Sequence, residues 1–183
     1  MHINPYGADA VLLMADLVNV PPASLDDLVK RCADAGLVID RSPGEADLVA
    51  TLNLSEQWCE IVDTRDERAR VALLNDLLAT SAAHPRVTDH DGTGWHLHYR
   101  DADLPLGGVL RALVAVGTAL HLTGRGMSRL ARCARDGCGL VYADVSRSGR
   151  QRYCSPRCAN RDAVRRHRAR HVPSSTASTA HRR

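Results

Sequence analysis

Four cysteines near the C-terminal end constrain the fold of this 183-residue chain more than any other feature. They form two close pairs, Cys133 with Cys138 and Cys154 with Cys158, separated by an insert of fifteen residues. This spacing is typical of a structural zinc site with four thiolate ligands, because each short loop can fold into a knuckle that presents two sulfurs to one metal. Four protein ligands leave no open coordination position, so the sequence predicts one structural zinc ion without a catalytic role.

The residues around these cysteines favour the same interpretation. Gly137 and Gly139 flank the second ligand, where backbone amides must turn towards sulfur. Ser155 and Pro156 read as the N-cap and first residue of a helix, which places Cys158 at the third helical position, where the helix dipole favours a thiolate. Iron–sulfur ligation remains an alternative, but the knuckle glycines and the capped helix suit zinc better. Disulfides are disfavoured, because we expect no secretory signal and cytosolic thiols stay reduced.

Charge is distributed unevenly along the chain. Residues 128–183 contain 14 Arg and 3 Asp, a formal charge of +11, whereas residues 1–127 carry −8, and together they give the net charge of +3. Such an asymmetry indicates an acidic body with a basic module. Only Lys30 among the 24 basic residues is a lysine, and the planar guanidinium group of Arg can pair with a phosphate or a guanine edge at two points.

The arginines of the basic module concentrate in the loop SRSGRQR before Cys154 and in a helix predicted over 156–171. A surface with many guanidinium groups repels itself, and a polyanion relieves that repulsion while releasing its own counterions. We therefore predict a nucleic-acid-binding surface formed by Arg147, Arg150, Arg152, Arg157, Asn160, Arg161, Arg165, Arg166 and Arg168. The alternative is a helix that only keeps the protein soluble, but such a helix would carry interspersed Glu and i,i+4 ion pairs, and within the helix only Asp162 can supply such a pair.

The first 127 residues read as a helical domain large enough to bury its own core. Apolar periodicity and capping signals predict five helices. The first spans 8–18, the second spans 25–35 between Ser24 and Gly36, and the third runs from after Gly44 towards Ile61. The fourth begins at Thr64 with a capping box at Glu67, and the fifth spans 104–122. Alternation around Asp91 and Gly92 predicts a hairpin between residues 86 and 100. The predicted fold class is mainly α with a small β-hairpin, followed by a four-cysteine module of knuckle, short strands and basic helix.

Other signals in the sequence are weaker. His96 and His98 would share one face of a strand and, with His90, could bind a metal or sense pH, although polar hairpin residues facing solvent are the simpler interpretation. Cys32 and Cys59 lie singly on helical patterns, as small buried side chains do. We expect no enzymatic activity, because the sequence has no nucleophile motif or phosphate-cradling glycine loop. We also expect no membrane span, because no uninterrupted apolar run approaches 18 residues.

Residues 129–170 resemble the CGNR zinc finger, a C-terminal module of bacterial proteins. Its pattern is a Cys pair, the stretch aromatic-D-x-S-R-x-G-R-R, a second Cys pair, then Gly-Asn-Arg and a basic helix. The motif Cys-Gly-Asn-Arg, from which the family takes its name, corresponds here to Cys158-Ala159-Asn160-Arg161, with Ala in place of Gly. Upstream, Asp16-Leu17-Val18-Asn19 is similar to the D-F-x-N motif of the ABATE domain, which usually precedes this finger and is described as a stress-induced transcription regulator.

The resemblance implies zinc ligation by the four cysteines, DNA binding and transcriptional control. We expect an ABATE-like regulatory domain over 1–127, a CGNR-type finger over 128–172 and a disordered tail over 173–183. The chain would be a cytoplasmic, nucleoid-associated bacterial regulator in which zinc presents an Arg-rich loop and helix to DNA. Its N-terminal domain could form a homodimer, and no residue indicates an effector. RNA binding by the same face, or docking of the basic helix on an acidic protein, remain alternatives.

Overall fold

The structure, a computed structural model, describes residues 7–89 and 94–170. Its helices and strands in chain order are α1 Ala8–Asn19, α2 Leu25–Asp34, α3 Glu45–Asp63, α4 Glu67–Ala79, β1 Arg86–Thr88, β2 His96–His98, α5 Leu106–Arg125, β3 Leu130–Arg132, β4 Val141–Ala143 and α6 Pro156–Arg170. The predicted fold class is confirmed, since helices dominate and the strands form two-stranded antiparallel sheets. The predicted tail over 173–183 and the end of the basic helix at His171 lie outside the described residues.

Helix α5 lies at the centre of the core, with α1, α3 and α4 packed along it. The closest approach is between α1 and Gly117, where an added Cβ would lie 2.5 Å from the side chain of Ala10. From α3, the indole of Trp58 donates a hydrogen bond to the Thr118 hydroxyl at 2.9 Å, and both side chains are fully buried. Most residues of α5 are buried, as a sequence that is apolar on most sides of the helix predicts.

By length and composition alone, α5 could cross a membrane, with a mean hydropathy of 1.5 over its most apolar window. The criterion of an uninterrupted apolar run missed this property, because Arg111 and several Gly, Thr and His residues interrupt the segment. Within the structure, 72% of that window is buried. The helix therefore has the environment of a core helix, whose apolar residues face other parts of the same chain.

The predicted helix caps are observed at α2 but not at α4. Ser24 accepts a hydrogen bond from the Asp27 amide, and Gly36, at φ 78°, ends α2 in the left-handed region as predicted. Helix α4 begins at Glu67, where the side chain of Asp66 accepts from the Ala69 amide at 2.8 Å. The predicted cap at Thr64 was wrong: Thr64 ends α3, and its hydroxyl donates to the Glu60 carbonyl oxygen. An aspartate nearer the helix supplies the acceptor instead.

The predicted hairpin is confirmed over its two strands, with Val87 opposite Leu97 in the antiparallel register. Its turn at Asp91 and Gly92, and His90, lie outside the described residues. His96 and His98 share a face, with their Nε2 atoms 3.0 Å apart. Of the two single cysteines, Cys32 is fully buried, whereas Cys59 is half-buried.

The second hairpin joins the C-terminal module to the helical domain. Leu130, Val141 and Ala143 belong to the same buried cluster as the helices. The Asn19 carboxamide, at the end of α1, donates to the Val141 carbonyl oxygen at 2.8 Å and accepts from the Val141 amide at 2.7 Å. On the other strand, the Arg132 guanidinium pairs with both carboxylate oxygens of Asp63. These contacts fix β3 and β4 on α1 and α3.

Candidate metal centre and nucleic-acid interface

The four predicted metal ligands lie together at the base of α6. The Sγ atoms of Cys133, Cys138, Cys154 and Cys158 are all within 4.8 Å of one another. The distance is 3.7 Å from Cys138 to Cys154, 3.8 Å from Cys138 to Cys158 and 3.6 Å from Cys154 to Cys158. Tetrahedral zinc with Zn–S bonds of about 2.3 Å separates its sulfurs by about 3.8 Å. The thiols therefore have the donor type and spacing of one structural zinc site, and no other group of three or more ligands occurs within the described ranges.

The first two ligands are held in a knuckle between β3 and β4. The Cys133 amide, directly after β3, donates to the Leu140 carbonyl oxygen at 2.8 Å. Gly137 and Gly139 flank Cys138 with φ of 70° and 68°, so the predicted turn of the chain around this ligand is confirmed. The Leu140 amide donates to the Cys138 sulfur, and this hydrogen bond lowers the pKa of the Cys138 thiol. A negative sulfur is thereby stabilised where a metal would bind it.

The second ligand pair joins the Arg-rich loop to α6. Ser155 caps the helix as predicted, since its Oγ accepts from the Cys158 amide at 3.3 Å, and Ala159 continues the helix after it. The pKa of the Cys158 thiol is lowered, first by the Ser155 side chain and then by the guanidinium group of Arg135, whose Nε lies 3.3 Å from the sulfur. Arg135 was not among the predicted site residues, although its place between the first two ligands is a usable signal.

Asp144 organises the loop that carries Arg147, Arg150 and Arg152. Its carboxylate accepts hydrogen bonds from the Ser146 amide at 2.9 Å, the Ser146 hydroxyl and the Gln151 amide at 3.1 Å. Burial raises the pKa of Asp144, but these hydrogen bonds outweigh it, so the pKa lies below its ordinary value. Residue patterns alone did not reveal this role of Asp144, because its hydrogen-bond partners are defined only by the folded loop.

The side chain of Arg129 also holds this loop in place. The Arg129 guanidinium lies against Gly149, donates to the Ser146 carbonyl oxygen at 2.7 Å and forms an ion pair with Asp144 at 3.4 Å. Gly149 has a φ of 66°, and an added Cβ would clash with that guanidinium. The tight turn predicted at Gly149 is confirmed, and it turns all three loop arginines towards solvent.

The inner side of α6 is anchored by Cys158 and Asp162, which are 8% and 5% exposed. Asp162 accepts a hydrogen bond from the Tyr153 hydroxyl at 2.7 Å. It also forms ion pairs with Arg165 and Arg166, each at 2.9 Å. As predicted, Asp162 is the acidic residue of α6 that pairs with its arginines, and from outside the helix Asp136 in the knuckle pairs with Arg165 at 2.5 Å. Arg165 therefore links the helix to the knuckle, whereas Arg166 pairs within the helix, and both arginines stay exposed.

The outer side of α6 carries the remaining predicted residues. Arg157, Asn160, Arg161 and Arg168 are exposed, and the three arginines form no ion pair with any residue in 7–89 or 94–170. A shallow surface groove of about 460 Å³ runs along this side, lined by Asn160, Arg161, Val164, Arg165 and Arg168. This groove is open to solvent and lined mainly by cationic side chains, so its electrostatic character suits an anionic partner.

Comparison with known proteins supports one part of the sequence interpretation. A search among curated proteins found no match to this chain. A family model does match, and it covers both cysteine pairs, the Arg-rich loop and α6. Together with the clustered thiols, this match indicates a zinc-dependent binding module. Residues 129–171 are thus similar to the CGNR zinc finger, as the motif around Cys158 predicted.

Proposed function

We propose that this chain is a DNA-binding transcription regulator in which one structural zinc ion holds the Arg-rich loop and α6 in a fixed relation. One observation carries the proposal: the three exposed arginines of the loop precede Cys154, and the three exposed arginines on the outer side of α6 belong to the helix that contains Cys158. Cys154 ends the loop and Cys158 lies in the first turn of the helix, so the metal fixes the angle between the two cationic segments. The proposal includes no enzymatic step and places the protein with chromosomal DNA in the cytoplasm.

Each part of this surface has a role in the proposal. Arg147, Arg150 and Arg152 contact phosphates, which position the protein without reading sequence. The outer side of α6 enters the major groove, where Asn160 and the neighbouring guanidinium groups reach base edges. Duplex DNA is favoured over single strands, because aromatic residues make up only 3% of the chain and stacking platforms are needed to bind unpaired bases. The N-terminal domain is proposed to be regulatory, with an ABATE-like relationship supported only by the motif at Asp16–Asn19.

The first test measures affinity for a fluorescent random-sequence 30-base-pair duplex over a series of salt concentrations. We expect the logarithm of the affinity to fall linearly with the logarithm of the salt concentration. The double variant Arg147→Ala, Arg150→Ala should lower this slope by about 2, because each phosphate contact contributes about 0.9. The matched control is Arg65→Ala, Arg68→Ala, which removes two exposed arginines beside α4 and should leave the slope unchanged.

Three outcomes would contradict the proposal. Absence of both duplex and RNA binding by the zinc-loaded protein at about 50 mM salt would exclude a nucleic-acid function, because electrostatic binding is strongest at low salt. Stronger competition by structured RNA than by duplex DNA of equal length would assign the same face to RNA. Capture of an acidic protein in a salt-dependent manner, without DNA binding, would instead identify α6 as a protein-docking helix.

A further inference from the structure

An apolar side chain lies in the middle of the cationic groove on α6. Val164 is 51% exposed and lines the groove together with Asn160, Arg161, Arg165 and Arg168. It is the one large hydrophobic residue of α6 that is exposed among the residues the structure describes. The other residues of the groove can donate hydrogen bonds or carry charge, so Val164 is its only large apolar contact point.

The position of Val164 on the helix excludes a packing role within the module. At 100° per residue, Val164 lies about 120° from Cys158 and about 160° from Asp162, the two side chains that anchor α6. Arg157, Asn160, Arg161 and Arg168 fall within about 60° of Val164 and form the outer side with it. A β-branched residue is also a poorer helix former than Ala or Arg. Neither helix propensity nor burial therefore favours Val at this position.

The surroundings of Val164 indicate the chemistry of its partner. Asn160 and Arg168 lie four residues before and after it, about 6 Å away along the helix axis. In the major groove, Asn pairs with adenine, Arg pairs with guanine, and the only apolar group is the 5-methyl of thymine. A distance of about 6 Å corresponds to about two base steps at 3.4 Å each. The order Asn160, Val164, Arg168 along the helix thus fits a base sequence in which a thymine lies between two bases that form hydrogen bonds with the protein.

Resting on the proposed function, we propose that Val164 contacts the 5-methyl group of thymine in the major groove and makes binding depend on that methyl group. Uracil lacks the methyl group, so the contact distinguishes DNA from RNA in addition to groove geometry. Val164 is then a specificity-determining residue, whereas the loop arginines supply affinity through phosphates.

The experiment uses the zinc-loaded full chain and begins by selecting its preferred sequence from a random 20-base-pair duplex library. Each thymine of the selected duplex is then replaced singly by deoxyuridine, which removes only the methyl group. Replacement at the contacted thymine should weaken binding by the wild-type protein about four-fold, which is the affinity expected from burying one methyl-sized apolar group. Val164→Ser should bind both duplexes equally, while Val164→Thr, which keeps one methyl, should retain part of the difference.

Val49→Ser is the matched control, since Val49 is an exposed valine on α3 with 56% exposure. This variant should show the same sensitivity to deoxyuridine as the wild type. Equal binding of every deoxyuridine duplex by the wild-type protein would overturn the role of Val164 while salt-dependent DNA binding still supports the proposed function. A loss of DNA binding altogether would instead overturn the proposed function. Circular dichroism and zinc content of each variant confirm that the comparison is made between folded proteins.

Discussion

At the scale of single residues, the shape of the cationic surface depends on a few side chains that carry no exposed charge themselves. Asp144 gathers the loop by accepting hydrogen bonds from Ser146 and Gln151. Gly149 lets the loop pass over the Arg129 guanidinium. These residues set where the loop arginines point, because Arg147, Arg150 and Arg152 form no ion pair of their own within the described residues.

We expect Gly149→Ala to disturb the loop for two reasons. Its φ of 66° is strained for any residue with a side chain, and the new methyl group would meet Arg129. Gly36→Ala is the matched control, because Gly36 has a φ of 78° but no heavy atom near an added Cβ. Urea unfolding should give a larger loss for Gly149→Ala than for the control, and DNA affinity should fall only for Gly149→Ala. Equal losses in both variants would contradict a specific contact with Arg129.

Local conformations at the site were predictable from sequence, whereas long-range partners were not. The left-handed glycines beside Cys138 and the Ser155 cap depend on neighbouring residues alone, so their residue types indicate them directly. The Arg129 contact with Asp144 and the Asp136 contact with Arg165 join residues far apart in sequence. Such pairs depend on the register of β3 with β4 and on the angle of α6, which residue patterns do not encode.

At the scale of elements, the β3–β4 hairpin is shared between the zinc module and the helical domain. The knuckle begins directly after β3, while Leu130 and Val141 are buried among the helices. Asn19 holds the hairpin on α1 by pairing with both backbone groups of Val141. The predicted boundary at residue 127 stays a prediction, but the hydrophobic core continues beyond it into β3 and β4.

Asn19→Ala should lower the free energy of unfolding by about 1–3 kcal/mol, because it leaves the backbone amide and carbonyl of Val141 without partners. Asn19→Asp keeps an acceptor for the amide but loses the donor for the carbonyl oxygen, and should also destabilise the fold. Asn53→Ala, at an exposed position on α3, is the control and should have little effect. Thermal unfolding of the zinc-loaded variants measures these differences. A wild-type stability for Asn19→Ala would show that the hairpin does not need this contact.

Removal of zinc by a chelator should release α6 but not β3 and β4. Only Cys158 and Asp162 of α6 are buried, so few apolar contacts hold this helix without the metal. Leu130, Val141 and Ala143 instead contact the helical core and do not depend on zinc directly. Hydrogen exchange followed by mass spectrometry should show faster exchange in α6 and continued protection in the two strands. Equal loss of protection in strands and helix would mean that zinc also holds the hairpin in place.

At the scale of the whole molecule, an acidic helical body and a basic module are joined through one core. The apolar periodicity of α5 was sufficient to predict a central helix, because a helix that is apolar on most sides must be buried. The shared core was not predictable, since the apolar residues of β3 and β4 are few and give no sign of which surface they meet. The N-terminal motif at Asp16–Asn19 has a structural role in this core, while its ABATE relationship stays a prediction.

We expect His121 to make the stability of the whole fold sensitive to pH. It is fully buried on α5, its Nε2 donates to the Arg129 carbonyl oxygen at 3.3 Å, and its burial lowers the pKa of the imidazole. The unfolded chain, with a histidine pKa of about 6.5, therefore binds the proton more readily than the folded chain. The free energy of unfolding should fall as the pH decreases from 7 to 5, by at most about 1.4 kcal/mol per pH unit from this residue.

His121→Gln keeps a neutral side chain with a donor and should show a smaller decrease over the same range. Urea unfolding at saturating zinc between pH 7 and pH 5 measures both proteins under matched conditions. Parallel curves for the two proteins would exclude His121 as the source of the pH dependence.

The position of Leu130, Val141 and Ala143 inside the helical core bears on how the module can be transplanted. A fragment cut at residue 128, or a fusion of residues 129–171 to an unrelated protein, would expose these three side chains to water. We expect such a fragment to aggregate or to require a new apolar cover even when its zinc site is fully loaded. In this chain the zinc module and the helical domain share one hydrophobic core, so moving the module into another protein would require moving the adjoining face of α1 as well.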